Sequence, residues 1–277
     1  MKKAIMQTRH WLALGSALFS LNAIAADDDF KRHNFAGGLF YIAPQSSAEP
    51  LHTTTAATLI PALASFDSPG TNAYVRDAKT LGLTYNYFFN RNVSLEFIGG
   101  IPPRLELVGE GQVVAPFLGG IPITDLDASA NKPLVKVRSW NPALNLQYHF
   151  GGPGQMIRPY VGVGVSYNKF DDYKINQNFA DDLIAAGQLI GLITLNPNAA
   201  NPTVDIDSTP SWQPLATVGL TGDISAHWYG VFSVSYMPLD TDATVTVRDS
   251  TGKPLATSTT TIDVNPVIGF LGVGYRF

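Results

Sequence analysis

Cysteine is absent from the 277-residue chain, which excludes disulfides and thiolate metal sites. Charge is also scarce, because only 14% of the residues are charged, whereas about a quarter is usual in soluble proteins. The formal net charge of −4 leaves no basic excess that could hold phosphates, so we expect no nucleic-acid partner. Beyond residue 25 the sequence has no uncharged apolar run of the roughly 20 residues that a membrane-spanning helix needs. The mature chain is therefore either soluble or crosses a membrane as strands.

The N-terminal residues have the pattern of an export signal. Three cations precede an apolar run at residues 11–21, and Ala23-Ile24-Ala25 offers the small residues that a signal peptidase cleaves after. The run is too short for a membrane anchor. We predict a cleaved signal peptide over residues 1–25 and a mature domain over residues 26–277.

Residues 261–277 contain the clearest strand pattern. Their last part alternates Leu271, Val273, Tyr275 and Phe277 with mostly small residues, and a strand shows successive residues on opposite faces. An apolar face that ends in aromatics is typical of the strand that closes an outer-membrane barrel. The last strand of a soluble β-sandwich is the alternative.

The rest of the mature chain shows the same alternation in seven further segments. With the last segment, the predicted strands are 35–43, 79–89, 93–101, 135–150, 158–170, 211–221, 227–247 and 261–277. Long gaps follow the first, third and fifth strands, and the third gap contains a predicted helix at residues 179–193 with Asn178 as its cap. Tight turns follow the second, fourth and sixth strands. This even number and asymmetry predict an all-β fold, an eight-stranded antiparallel transmembrane β-barrel with short periplasmic turns and long extracellular loops.

The placement of bulky aromatic side chains distinguishes a membrane barrel from a soluble, lipocalin-type barrel. We predict a periplasmic belt and an outer belt where the strands meet the two membrane surfaces. The periplasmic belt consists of Tyr87, Phe89, Tyr148, Phe150, Trp228, Tyr275 and Phe277, and the outer belt of Trp140, Tyr167 and Trp212. A lipocalin-type barrel would place its apolar face inside. Here the apolar face is continuous and the opposite face is small and polar, which favours a protein of the outer membrane.

Six stretches of the chain resemble the OmpW family of small outer-membrane β-barrels. They are LGLTYNYFFNRNVSLEFIGGIP (81–102), PALNLQYHFG (142–151), IRPYVGVGVSYNKFDD (157–172), SWQPLATVGL (211–220), WYGVFSVSYMPLDTDATV (228–245) and DVNPVIGFLGVGYRF (263–277). The resemblance implies passage of small hydrophobic molecules through an apolar funnel and release sideways between strands. It places the funnel floor at Ile98 and Trp212, although Trp212 has outward parity and needs a bulge to face the lumen.

Strand parity predicts the lining of the barrel. An eight-stranded barrel is only wide enough for side chains, so we expect the inward charges to pair into a polar floor at the periplasmic end. The polar floor comprises Glu96, His149, Arg158 and Arg276. The hydrophobic lumen comprises Ile98, Trp212, Leu215, Val231 and Met237. Simple side-chain packing remains an alternative for the apolar set.

Two further sets of residues belong to the predicted function. Proline cannot donate to a strand ladder, so Pro102 and Pro142 are candidates for a lateral gap. Tyr275 and Phe277 resemble the signal that the barrel-assembly machinery recognises. We expect outer-membrane lipid, lipopolysaccharide and small apolar solutes as further partners, and no cofactor or metal.

Two other functions compete with transport. A structural, adhesive or receptor barrel would have a polar lumen throughout. An enzyme that deacylates lipid A would need a Ser–His–acid set, and we expect no Ser and acid companions for His33, His52 or His227. The sequence therefore predicts a barrel that is not an enzyme.

Overall fold

The computed structural model describes residues 30–117, 119–152 and 155–277. Residues 31–277 form one compact unit, and the predicted signal peptide at residues 1–25 lies outside the described residues. In chain order the strands are β1 (His33–Ala43), β2 (Ser47–Ala48), β3 (Leu51–Thr55), β4 (Ser65–Ser68), β5 (Asn72–Val75), β6 (Ala78–Phe88), β7 (Val93–Gly100), β8 (Arg104–Glu110), β9 (Gln112–Ala115), β10 (Ile121–Asp125), β11 (Val135–Trp140), β12 (Ala143–His149), β13 (Ile157–Ile175), β14 (Thr203–Ser208), β15 (Ser211–Asp223), β16 (Trp228–Tyr236), β17 (Asp240–Arg248), β18 (Pro254–Asp263) and β19 (Val267–Arg276).

Two α-helices complete the regular structure, α1 (Pro61–Ala64) and α2 (Gln177–Ile193), together with short 3-10 turns at Ser129–Asn131 and Pro197–Ala200. The side chain of Asn176 caps α2 by accepting hydrogen bonds from the backbone N–H groups of Asn178 and Phe179. The sequence prediction that Asn178 is the cap is wrong by two residues, because Asn178 is a donor to the cap. No helix in the described ranges is long and apolar enough to span a membrane.

Eight of the strands close into an antiparallel barrel. Their order around the ring is β1, β6, β7, β12, β13, β15, β16, β19 and back to β1. The last closure pairs the two ends of the barrel sequence, with Phe35 opposite Tyr275 and Ala43 opposite Val267. The predicted eight-stranded barrel is confirmed.

The barrel strands bury polar side chains and expose apolar ones, which is the reverse of the arrangement in a soluble protein. Along β12, the residues Asn145 and Gln147 are buried, whereas Leu144 and Leu146 are about half exposed. The same alternation exposes large apolar side chains on each of the seven remaining barrel strands. Examples are Phe35, Leu83, Phe97, Val163, Val218, Phe232 and Leu271. An apolar outer wall around a polar interior is stable only in lipid, so the soluble alternatives are excluded.

Exposed aromatic side chains form a belt at the end of the barrel that has the short turns. Edge-on contacts join Tyr87 to Phe89 and Tyr148 to Phe150, with ring centroids 5.4 and 5.2 Å apart. Trp228 packs edge-on against Tyr275 at 5.2 Å in the same manner. Aromatic rings of this kind are enriched at the interface between membrane and water.

The long connections are themselves folded, and we call them the cap (residues 44–77, 101–142, 169–210 and 237–266). One cap sheet continues from the upper part of β13 through β11, β8 and β5, and a second has the order β14-β17-β18-β3-β4 with β2 beside β18. A hairpin of β9 and β10 and the helix α2 complete it. Because long loops of outer-membrane barrels are extracellular, the cap faces outward.

Three of the predicted strands are divided in the structure. The predicted strand 135–150 is β11 and β12, separated at Asn141-Pro142, and 227–247 is β16 and β17, separated at residues 237–239. The predicted strand 261–277 begins in β18 and resumes as β19 after residues 264–266. Each break contains a proline, whose missing N–H cannot join a ladder. The breaks mark where barrel ends and cap begins.

Candidate functional site

A hydrogen-bonded network, here called the polar plug, fills the middle of the barrel. Its centre is Glu96 on β7, which is 5% exposed and accepts hydrogen bonds from Asn86 (3.1 Å), Gln147 (2.5 Å) and Asn145 (3.4 Å). The plug consists of Asn86, Ser94, Glu96, Asn145, Gln147 and His149. Three amide donors surround the buried carboxyl, which is how a polar group is stabilised away from water.

The lower members of the predicted polar floor do not pair with Glu96. Arg158 donates to the backbone carbonyls of Arg91 (2.7 Å) and Gly151 (3.3 Å), and Arg276 pairs with Asp223 at 2.5 Å. Ion pairs between Glu96 and either arginine are absent from the described residues. The expectation that the inward charges pair with one another is wrong, because side-chain amides hold Glu96, turn carbonyls hold Arg158 and the carboxylate of Asp223 holds Arg276.

His149 connects the plug to the aromatic rings of the lumen. Its Nε2 lies 3.1 Å from Ser94 Oγ and 3.2 Å from Gln147 Oε1, and its ring packs against Phe88 and Tyr160, each at 4.9 Å between centroids. His149 is 3% exposed. The ring is therefore part of a packed interior.

An apolar group, here called the mouth cluster, lies where the barrel opens into the cap. It consists of Ala143, Leu215, Met237, Leu239, Ile262 and Val264, with Ile98, Leu107, Phe170 and others packed against it. Three predicted lumen residues, Ile98, Leu215 and Met237, thus meet here.

The remaining two predicted lumen residues lie elsewhere. Val231 is buried, but it packs with Tyr160, Tyr229 and Phe270 in a separate cluster. Trp212 is 68% exposed and packs on Tyr167 with ring centroids 5.1 Å apart. The assignment of Trp212 to the lumen is wrong, because no bulge interrupts β15 at this residue and its outward parity holds.

An apolar cavity of about 200 Å³ lies inside the cap, directly on the mouth cluster. Strands of both cap sheets, the β9–β10 hairpin and α2 all contribute to its lining. Phe170, Leu107, Ile262 and Val264 belong both to this lining and to the mouth cluster. The cavity and the barrel mouth therefore form one continuous apolar region.

The barrel wall is interrupted beside this region. The ladder between β7 and β12 ends at the pair Ile98–Ala143, and the ladder between β8 and β11 ends at the pair Arg104–Arg138, extended by the bond from Ser139 N to Pro103 O (2.9 Å). Within the described residues, no ladder pair or backbone hydrogen bond joins residues 99–102 to residues 140–142. Pro102 and Pro142, the two candidates for a lateral gap, lie within this unpaired stretch.

Each edge of this unpaired stretch is hydrogen-bonded to the strand on its other side. Ile101 N donates to Leu81 O at 2.9 Å. On the opposite edge, Tyr167 N donates to Pro142 O at 3.0 Å, and Asn141 Nδ2 donates to Asn168 Oδ1 at 2.5 Å. Both edges of the unpaired stretch are therefore hydrogen-bonded on their other side.

Sequence reasoning found only part of the cavity. Among the apolar residues in the predicted long gaps, Leu51, Leu63, Leu183, Leu189 and Ile193 line the cavity, whereas Leu59 is 97% exposed. Residues of β8, β11, β14 and β17 were missed as cavity lining, as were Ala256, Ser258 and Thr260 of β18. The signal for Leu105 and Leu107 was short alternation within a segment whose composition favoured a loop, whereas Val135 and Val137 lie on the predicted strand 135–150 but were not assigned to the lining.

The structure corrects one expectation about His52. Asp67 Oδ1 lies 2.6 Å from its Nδ1, and Ser65 Oγ lies 3.3 Å from its Nε2. His52 therefore has the Ser and acid companions that the sequence did not reveal. The histidine and aspartate side chains are 48% and 70% exposed, so water competes for both contacts.

A closed eight-stranded barrel with an apolar outer wall, a polar interior and an aromatic belt defines an outer-membrane β-barrel protein. The model of the OmpW family matches residues 38–188, and the chain belongs to this family. Outer membrane protein W of Salmonella typhi is 28% identical over 71% of this chain and 72% of its own length. Outer membrane protein AlkL of Ectopseudomonas oleovorans is 28% identical over 76% of this chain and 70% of its own length.

Solved structures show the same fold. The crystal structure of OprG from Pseudomonas aeruginosa superposes with a TM-score of 0.64 at 21% identity, covering 89% of this chain and 96% of that chain. The structure of AlkL in lipid bilayers superposes with a TM-score of 0.53 at 22% identity, covering 92% and 95%. The matched proteins are outer-membrane barrels, and the chain is thereby assigned to the outer membrane.

Proposed function

We propose that this barrel gives small apolar molecules passage across the outer membrane, by taking them into the cap cavity and releasing them sideways into the bilayer. The observation that carries the proposal is the continuity of the cavity with the mouth cluster, beside an interrupted stretch of barrel wall. Among similar proteins, PahQ of Pseudomonas aeruginosa is described as a dibenzothiophene metabolism operon protein and is 24% identical over 76% of both chains.

The cavity lining supports an apolar solute. Most polar side chains of the lining are engaged with protein partners, as in the pair Thr53–Ser258 at 2.8 Å and the pair Tyr173–Ser208 at 2.6 Å. The buried hydroxyl of Thr241 is without a partner among the described residues. A molecule that enters gains roughly 0.8 kcal/mol for each CH₂ group it removes from water. An apolar cavity of about 150 Å³ is known to admit a benzene-sized molecule, and this one has about 200 Å³.

The polar plug supports a sideways exit. An apolar solute that moved straight through the barrel would have to part Glu96 from Asn86 and Gln147 and leave buried polar groups without partners, which costs roughly 1–3 kcal/mol for each group. The opening between residues 99–102 and 140–142 begins at Ile98 and Ala143, both at the mouth cluster. The path from cavity to bilayer therefore meets apolar side chains.

A structural or adhesive barrel without transport is the second candidate. The polar plug favours it, because a lumen closed by hydrogen bonds needs no solute to be stable. The apolar mouth cluster and the cavity above the plug have no role in that function.

A cavity-filling variant tests the proposal. Ala186 on α2 lines the cavity, whereas its neighbour Ala185 is exposed. We expect Ala186→Phe to lower the uptake of a medium-chain alkane by cells or proteoliposomes roughly tenfold. The added ring occupies the space of the solute, and a solute that still enters overpacks the cavity, which typically costs about 1–3 kcal/mol of binding free energy. Ala185→Phe adds the same side chain outside the cavity and should leave uptake unchanged.

The same assay separates the two candidates. Uptake that equals that of barrel-free vesicles, for the wild-type protein and over several apolar compounds, would support the structural or adhesive role. Equal uptake by wild type and Ala186→Phe, with both above background, would remove the cavity from the path.

A further inference from the structure

Six cations cluster on the outer face of one cap sheet, and we call this face the cation surface. They come from β8, β11, the upper part of β13 and the residue after β5, and they are Arg76, Arg104, Lys136, Arg138, Lys169 and Lys174. Alternate residues of the same strands, such as Leu105, Val135 and Val137, line the cavity. The cations therefore point away from the cavity, toward the surroundings of the barrel.

The strand register arranges these cations in rows. Lys136 lies opposite Glu106 on one side and opposite Lys174 on the other, while Arg138 lies opposite Arg104 and Asp171. Directly opposed residues of an antiparallel sheet have Cβ atoms about 4.5–5.5 Å apart. Neighbouring cations are thus close enough to contact the same anionic group.

Carboxylates neutralise only part of the cation surface. Glu106 is shared between Lys136 (2.6 Å) and Arg76 (2.9 Å), and these two cations hold the pKa of Glu106 below its ordinary value, Lys136 most strongly. Asp171 and Asp172 pair with Arg138 and Arg104 at 2.9 and 2.5 Å. Lys169 and Lys174 have no carboxylate within 4.0 Å among the described residues.

The cation surface begins immediately above the outer aromatic side chains. Lys169 lies opposite Trp140, and two residues earlier on β13 Tyr167 lies opposite Trp212. Two residues of a strand span about 7 Å. The first cation therefore lies level with Trp140 and one step outside the pair Tyr167–Trp212, at the level of lipid headgroups.

The surface is negatively charged on the opposite side of the barrel mouth. There β17 and β18 carry Asp240, Asp242 and Asp263, and Asp240 lies directly opposite Asp263. An anionic headgroup is repelled from that side and attracted to the side of β8, β11 and β13. The opening between residues 99–102 and 140–142 lies on this attracting side, where β7 and β12 lead into β8 and β11.

We propose that the cation surface binds the phosphates of the diphosphorylated glycolipid of the outer leaflet, lipid A, and so holds one such lipid over the lateral opening. Charge complementarity and height above the aromatic belt support this partner, whereas the cavity takes no part in it. The proposal is independent of transport, because lipid binding is measured without any solute.

Native mass spectrometry of the full barrel in phosphatidylcholine nanodiscs tests the proposal, with purified lipid A as the probe. The test variant is Lys136→Gln, Lys169→Gln and Lys174→Gln combined. The matched control replaces Lys31, Lys79 and Lys253 by Gln, which removes the same charge from other parts of the surface. Each cation near an anionic lipid contributes a factor of about five to binding, so the test variant should bind lipid A about a hundredfold more weakly and the control within about twofold of wild type.

Two further arms complete the test. Lipid A from which both phosphates have been removed should bind wild type as weakly as intact lipid A binds the test variant, and the wild-type affinity should fall as salt is raised. The combined Lys→Arg variant at the same three positions should keep wild-type affinity, which shows that charge and not folding is measured. Unchanged binding by the glutamine variant, equal loss in the control, or equal binding of phosphate-free lipid A overturns the proposal.

Discussion

Ile98 lies opposite Ala143 in the last pair of the ladder between β7 and β12, and both side chains contact the apolar mouth cluster. Backbone pairing between these two strands therefore stops at the point where the interior changes from polar to apolar. Below this pair, Glu96 lies opposite Asn145 in the polar plug. On the proposed path, a molecule in the cavity thus meets a polar barrier in one direction and the unpaired stretch of wall in another.

Closing the opening covalently should stop release into the bilayer. Ile101 and Trp140 are exposed on its two edges, and the chain has no native cysteine that would interfere. We expect Ile101→Cys combined with Trp140→Cys, joined by a short bifunctional thiol reagent, to reduce alkane uptake to background. Treatment of either single variant should have no such effect.

The matched control joins strands that are already paired. Leu95 lies opposite Leu146 lower on the same two strands, so the double cysteine variant at these positions can be joined without closing anything. Full uptake by the joined control and none by the joined test variant is expected. Equal uptake by both would exclude this opening as the exit.

Removing the carboxyl at the centre of the polar plug should destabilise the barrel. Glu96→Leu leaves the amides of Asn86, Asn145 and Gln147 without their acceptor, and each buried group without a partner costs about 1–3 kcal/mol. Glu96→Gln keeps one acceptor oxygen and should lose less. Urea unfolding in lipid, followed by gel mobility, measures the free energy of unfolding, which should decrease from wild type to Glu96→Gln to Glu96→Leu. A Glu96→Leu variant as stable as wild type would show that the plug contributes no net stability.

The barrel was predictable because alternation is the dominant signal where one face meets lipid and the other a narrow lumen. For example, the apolar side chain of Leu144 indicates the lipid-facing side of β12, and the polar side chain of Asn145 indicates the lumen. The cap was not predictable to the same degree, since its strands pack around one another and short apolar alternation such as Leu105 and Leu107 is interrupted by prolines and glycines. Trp212 shows a further limit: its parity was read correctly, and the family resemblance suggested the wrong face.

Asp249 should hold the tip of the β17–β18 hairpin against the end of α2. Its carboxylate accepts hydrogen bonds from the hydroxyl and N–H of Thr251, from Asn196 Nδ2 (3.0 Å) and from Lys253 N (3.0 Å), and these donors hold its pKa well below the ordinary value. We expect Asp249→Ala to speed hydrogen exchange in residues 249–253 and at the end of α2 while barrel strands stay protected.

The pH dependence of this contact follows from the direction of the shift. A lowered pKa in the folded state means that the stabilisation is complete above the ordinary aspartate pKa of about 3.9 and is lost only as the pH falls through the lower, folded value. Exchange in residues 249–253 should therefore be protected equally at pH 5 and pH 8, apart from the intrinsic rate. Loss of protection between these values would contradict the assignment.

Ser65 should not behave as an activated nucleophile, despite its contact with His52. Both His52 and Asp67 are substantially solvated, so the imidazole is not held in a dry, oriented site such as efficient proton transfer requires. We expect a fluorophosphonate probe to label wild type no faster than Ser65→Ala, as read by mass spectrometry of the peptide. Selective labelling of Ser65 that is abolished by His52→Ala would reveal an esterase-like site.

Phe277 should contribute to assembly more than to transport. Its ring stacks on His33 with centroids 5.7 Å apart and 8° between planes, and its backbone N–H donates to His33 O at 2.9 Å. The contact therefore lies on the seam between β1 and β19, where the ring of strands closes. We expect Phe277→Ala to lower the fraction of heat-modifiable, folded barrel in the outer membrane while uptake per folded barrel stays constant. Phe150→Ala, which removes an exposed ring of the same belt away from the seam, should leave the folded fraction much closer to wild type; an equal loss in both variants would mean that any belt aromatic serves, and that Phe277 has no special part in assembly.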